Sequence, residues 1–191
     1  GFDLYSRMLA EAVEEQKARR EHRAPVLEKP QAVVDLPIEA HLPNDYVADE
    51  AQKLELYRRL ARARSAGDIA AFRQELTDRF GPMPAPVLRL VEVAELRLAA
   101  EAVGIASIAR EEGQLVVRLG TLPRSVAMRA LAGQRFPGVP VGGITFGSNQ
   151  ARIRLPKDPK ASWMLTQAVV TRLVTIAAEI PDPAALPTPV S

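Results

Sequence analysis

The stretch IASIAREEGQLVVRL, residues 105–119, decides the fold class. Ile105–Arg110 and Gln114–Leu119 are two apolar runs of strand length, and Glu111-Glu112-Gly113 lies between them as a turn. That arrangement predicts a β-hairpin. What precedes it is helical. Leu90, Val91, Ala94, Leu98 and Ala102 repeat at helical spacing over about Pro86–Val103, with Pro86 suited to the first turn and Gly104 to the end. Before that, Ser65 caps a helix whose core face holds Ile69, Phe72, Leu76 and Phe80, stopped by Gly81 and Pro82. Earlier still, Asp49 offers an N-cap, with Gln52 as capping-box partner. The helix that follows carries Ala51, Leu54, Tyr57, Leu60 and Ala61 as its apolar stripe.

Further out the pattern changes again. Val34, Leu36, Ile38, Ala40 and Leu42 alternate with polar residues or Pro37, which predicts a half-buried strand at a sheet edge. Beyond the hairpin, Pro123–Leu131 reads as a short helix closed by Gly133. Ile144–Phe146 and Ala151–Leu155 flank Gly147-Ser148-Asn149-Gln150, a second hairpin. A long helix follows over about Lys160–Ile180, with Met164, Leu165, Ala168, Val169, Leu173, Ile176 and Ile180 on one side and Pro181 after it. Phe2, Leu4, Tyr5, Met8, Leu9, Ala12 and Val13 predict one more helix at the start. Helices and strands are grouped rather than alternating, so the expected class is α+β. The expected sheet is small and mixed or antiparallel, one N-terminal strand plus two hairpins, packed with several helices.

Glu14–Arg23 is charged without a stripe, and Pro25 and Pro30 bracket a linker. Residues 1–30 are therefore expected to end a preceding module, 31–180 to form the main domain, and 181–191, with four prolines, to be a disordered tail. The chain begins with Gly1 and lacks a signal-peptide pattern, so it reads as a piece of something longer.

Chemistry-bearing patterns are scarce. Of 191 residues, 47% are hydrophobic and 25% charged, which excludes a collagen-like or disordered chain. No apolar run is read as long enough to cross a bilayer. Cysteine is absent, which excludes disulfides, zinc ribbons and thiol catalysis. His22 and His41 are the only histidines, too few for a multi-His metal site. Neither G-x-x-x-x-G-K-[ST] nor G-x-G-x-x-G occurs. Asp49-Glu50-Ala51-Gln52 superficially matches a Mg²⁺-binding acidic box, but it follows a polar turn and opens a helix, so it reads as a cap. No catalytic, cofactor or metal residue is expected.

Charge is distributed unevenly. Residues 1–112 carry 16 basic and 20 acidic side chains, whereas residues 113–191 carry 9 and 3. Arg118, Arg124, Arg129, Arg135, Arg152, Arg154, Lys157 and Lys160 could meet phosphate. The nearby aromatics, Phe136, Phe146 and Trp163, are too sparse for a stacking platform. Glu75 and Asp78 stand out for a different reason. Three residues apart, they share a helix face in the last two turns before Gly81. Negative charge there opposes the helix dipole by about 0.3–1 kcal/mol, partly offset by Arg73 and Arg79. Either this is a solvated helix end or an acidic contact patch for a basic partner.

Four stretches together carry a resemblance: Leu42-Pro43-Asn44-Asp45-Tyr46-Val47, LELYRRLA at 54–61, ELTDRFG at 75–81, and Leu96 to Ile105 ending in Val103-Gly104-Ile105. They resemble the C-terminal domain of the bacterial transcription-repair coupling factors, the Mfd family. Gly1-Phe2-Asp3-Leu4-Tyr5, with Met8-Leu9 and Glu11-Ala12-Val13, resembles the tail end of the translocation motif that this family shares with the RecG helicase. The motifs cover about residues 1–120; after that only the order of elements follows.

The resemblance implies a cytoplasmic parent protein that is a helicase-like, ATP-hydrolysing translocase on double-stranded DNA. ATP and Mg would bind in a motor upstream of this chain. The parent would remove stalled RNA polymerase at lesions and recruit UvrA in transcription-coupled excision repair. The chain itself would be non-catalytic, without cofactor or membrane contact. It would pack on the UvrB-like N-terminal module of the same protein and mask UvrA binding, an autoinhibitory role. The motif's acidic residues, which match Glu75 and Asp78, would contact basic residues of that module. The alternative is an accessory nucleic-acid-binding domain using the basic second half, and a blander reading is a structural cap on the motor.

Overall fold

Capping residues and turn glycines delimit nearly every element of the chain. The structure, a computed structural model, describes residues 31–180. The helix expected over 2–13, the linker after it and the tail at 181–191 lie outside those residues. The elements are β1 (Val33–Asp35), α1 (Glu50–Arg62), α2 (Ala66–Phe80), α3 (Ala85–Ala102), β2 (Ser107–Glu111), β3 (Gln114–Arg118), α4 (Arg124–Leu131), β4 (Ile144–Phe146), β5 (Gln150–Arg154) and α5 (Pro159–Glu179). Among the described residues, five helices and a five-stranded mixed sheet make the class α+β, as the grouping of the sequence predicts. The described residues form two compact units, one built on Glu39–Leu98 and the other on Ala32–Ile38 with 99–180.

The first unit is helical. Asp49 accepts a hydrogen bond from the Gln52 amide at 2.7 Å and so caps α1. Ser65 and Asp68 form a reciprocal capping box on α2. Gly81, at φ 84°, ends α2 as the stop signal predicts. The core joins Leu42, Val47, Leu56, Tyr57, Leu60, Ile69, Phe72, Leu76, Val87, Leu90, Val91 and Ala94. On α1 the expected stripe is rotated: Leu56 and Lys53 are buried, whereas Ala51 is exposed and Leu54 half-buried. Lys53 accounts for the shift, because its ammonium is held by Asn44 Oδ1 and by Glu50 at 3.1 Å, which lets its stem enter the core.

The second unit holds the sheet, in the order β1-β2-β3-β5-β4. β1 lies at one edge and runs parallel to β2, and the remaining pairs are antiparallel. The edge position agrees with Pro37, but the strand is shorter than the alternation suggests. It stops at Asp35, and the Ile38 amide turns back to the Leu36 carbonyl at 2.8 Å. A proline lacks the N–H that would extend the ladder. The first hairpin closes on Glu112 (φ 51°) and Gly113 (φ 76°), the paired positive φ of a two-residue turn matched to strand twist. Val34, Ile108, Val117 and Ala151 are neighbours across four strands and are all buried, which fixes the core face.

Helices α4 and α5 pack on one another in this unit. α5 corrects two readings. It is long and apolar enough to cross a bilayer by length and composition, contrary to the reading that no such run exists. Scattered Ser, Thr and Gln hide this in the bare sequence. In the structure Trp163, Leu165, Val169, Val170, Leu173 and Ile176 of this helix are buried in protein. The expected face also shifts: Met164 is 60% exposed and Ala168 is exposed, whereas Trp163 and Val170 are buried. Apolar residues lie almost all round this helix, so periodicity alone does not select the buried side.

Gly104 closes α3 with the Ile105 amide on the Ala100 carbonyl (3.0 Å) and its own amide on that of Glu101 (3.1 Å), a Schellman end. It takes φ +84°, and a Cβ there would stand 2.2 Å from Thr121 Oγ1. Gly104→Ala combines left-handed strain with a steric clash and is expected to cost about 2–4 kcal/mol. Chemical denaturation of the variant should show a lower midpoint at unchanged m-value.

Candidate functional site

The ELTDRFG stretch is the last two turns of α2, and a distant turn holds it in place. The Tyr46 hydroxyl lies 3.1 Å from the Leu76 carbonyl and 2.9 Å from the Gly81 carbonyl, so it can donate to either of two helix-end acceptors. Its ring stands 5.7 Å from that of Phe80, tilted by 51°. Burial pushes the Tyr46 hydroxyl's pKa up. Tyr46 belongs to the Leu42–Val47 turn, which is tied down in turn by the Leu42 amide donating to Tyr57 Oη at 2.8 Å. Two of the four stretches that carry the family resemblance thus contact one another directly.

Glu75 and Asp78 occupy different electrostatic settings. Glu75 Oε1 accepts from Arg79 at 2.7 Å, while Oε2 accepts from Arg59 of α1. These two guanidiniums, Arg59 first, hold the Glu75 carboxyl below its ordinary pKa. Arg79 also lies over the Phe80 ring, 5.0 Å from its centroid. Asp78 is exposed and accepts from the neutral Gln74 amide at 2.9 Å. Arg73, expected to offset these carboxylates, is drawn away to Glu95 at 2.9 Å. Sequence reading missed Arg59, because an ion pair between two helices leaves no spacing signature.

Two more cations of this unit do structural work. Arg97 is only 2% exposed and donates to the Leu60 and Ala63 carbonyls at 3.2 and 3.3 Å, capping the end of α1. Lys53 helps line an open groove with His41, Leu42, Asn44, Leu54 and Tyr57. Among the described residues, no group of three or more His, Cys, Asp or Glu could hold a metal ion. Asp49 and Glu50 of the DEAQ stretch are engaged by the Gln52 amide and by Lys53.

The basic second half is partly compensated within its own unit. Glu111 pairs with Arg118 at 2.7 Å and with Arg152 at 3.5 Å. Arg124 donates to the Gly147 carbonyl and Arg172 to that of Ala130. Arg129, Arg135, Arg154, Lys157 and Lys160 are exposed.

The lowered pKa of Glu75 has a defined pH signature. Its pairing stabilises the fold above the ordinary glutamate pKa, and the stabilisation is lost as pH falls through the lowered folded value. Glu75→Gln should therefore lower stability by about 1 kcal/mol or less near neutral pH. The gap between the two proteins should close in acid, as read by thermal melts across pH.

Comparison with known proteins shows the family. A family model described as the TRCF domain matches residues 36–129, a span that includes the Leu42–Val47 turn, Glu75, Asp78 and Gly104. The transcription-repair-coupling factor of Mycobacterium bovis is 43% identical over 148 residues, covering 72% of this chain and 12% of that protein. That of Staphylococcus aureus (strain USA300) is 39% identical over 116 residues, 61% of this chain and 10% of that protein. The chain thus spans only about a tenth of the length of these relatives. A crystal structure of the C-terminal domain of a transcription-repair coupling factor shares the fold, with a TM-score of 0.61 at 18% identity, over 79% of this chain and 98% of that one. The chain belongs to the TRCF domain family, as a C-terminal domain of a transcription-repair coupling factor.

Proposed function

We propose that this chain is a non-catalytic, autoinhibitory domain that docks the end of α2 onto a basic surface of the UvrB-like module of its own protein. Docking would mask the surface that takes UvrA. The observation that carries this reading is the pair of carboxylates at the α2 end, Asp78 exposed and Glu75 held ionised by two guanidiniums. A turn of the same unit clamps that helix end, so the carboxylates are presented on a fixed support. Partly exposed ion pairs contribute about 0–1 kcal/mol each, which suits a contact that must open.

The parent protein, on this reading, is a cytoplasmic ATP-driven translocase on double-stranded DNA that engages RNA polymerase and UvrA. ATP and Mg would belong to its motor. The residues here do not fit them: the sequence carries neither phosphate-loop motif, and its DEAQ carboxylates are taken up by a helix cap and a lysine.

The test mixes this chain with the UvrB-like module at low and high salt. Binding should weaken with salt, and Glu75→Lys with Asp78→Lys should reduce it at least tenfold. Equal binding by the reversed variant would show that the α2 end is not the docking site.

A further inference from the structure

We infer that Arg59 restrains the docking surface: it competes with the partner's cation for Glu75, so that removing Arg59 tightens docking. This rests on the docking reading above and adds a residue that opposes it.

Both carboxylate oxygens of Glu75 are occupied within the unit, one by Arg59 and one by Arg79. A basic partner cannot simply add to this carboxylate with full strength; it has to displace a guanidinium or share its acceptor. The two arginines are not equally easy to displace. Arg79 sits four residues along the same helix and also stacks on Phe80. Arg59 reaches across from α1, its side chain is 44% exposed, and Glu75 is its ion-pair partner. It can swing into water without leaving a buried group unpaired. It also sits in the last turn of α1, where the helix dipole favours a cation with or without Glu75. Arg59 is therefore the ligand that yields. Asp78 differs, because a neutral amide holds it and a partner's cation gains its full charge. The surface offers one ready carboxylate and one whose availability Arg59 sets.

The sign of the effect separates this role from simple scaffolding. If Arg59 only positioned Glu75, its loss would weaken docking. If it competes, its loss strengthens docking.

The experiment uses the full-length protein that carries this chain and measures its apparent Kd for immobilised UvrA. Where the docked state dominates, that Kd scales with the docking constant. Arg59→Gln should raise it about two- to fivefold, the range of an exposed ion pair. Glu75→Gln should lower it, and the double variant should match Glu75→Gln alone, because the competitor has nothing left to occupy. Arg59→Lys keeps a cation and should stay nearer the wild type. Arg135→Gln removes an equal charge from an exposed position after α4 and should change nothing. An unchanged or lowered Kd for Arg59→Gln, alongside a lowered Kd for Glu75→Gln, overturns the competition. An equal rise for Arg135→Gln also overturns it, as a net-charge effect. If neither Glu75→Gln nor Asp78→Asn moves the Kd, the docking reading itself fails. Thermal melts of each variant establish that the effects come from folded protein.

Discussion

A helix cannot end in or beside a core with its last carbonyls unpaired, and the first unit is organised around that constraint. Short connections join its three helices, so the chain has few residues with which to satisfy each end. Two side chains from elsewhere do it. Tyr46 donates at the end of α2, and buried Arg97 donates at the end of α1. Loss of the Arg97 donor, whose bonds are buried, would cost about 1–3 kcal/mol. The Tyr46 contacts set where the α2 end lies, and with it Glu75 and Asp78.

The electrostatics of that helix end follow from its surroundings. Two carboxylates near a helix C-terminus oppose the dipole, and the fold compensates one of them heavily and the other lightly. Glu75 gathers two guanidiniums, one from its own helix and one from α1. Asp78 stays exposed beside a neutral amide. A surface of this kind carries modest energies that can be exchanged for others, which is the property a reversible contact requires.

The second unit shows the same economy with a different outcome. Counting cations after residue 112 suggests a broad basic face. The fold assigns several of them to internal partners: Glu111 bridges Arg118 and Arg152, and Arg124 and Arg172 serve backbone carbonyls. Gly104 and Gly120 have a stricter role. A Cβ on Gly120 would stand 2.4 Å from the Gly104 carbonyl, so the approach of these two backbones requires glycine.

Local rules determined much of this protein. Caps at Asp49 and Ser65, the stop at Gly81 and the hairpin turns are short-range effects, readable because their partners lie within four residues. Element order and the α+β class follow from them. The pair Glu75 and Asp78 was legible too, because an acidic helix end violates a local preference. Tertiary structure alone decided the rest. It chose the buried side of α5, where apolar residues encircle the helix, and it drew Lys53 into the core. It brought Arg59 onto Glu75 and Tyr46 onto Leu76 and Gly81. The Arg59 and Tyr46 contacts depend on partners 16 to 35 residues away, and the burial of α5 on a competition between faces; sequence periodicity carries no information about either.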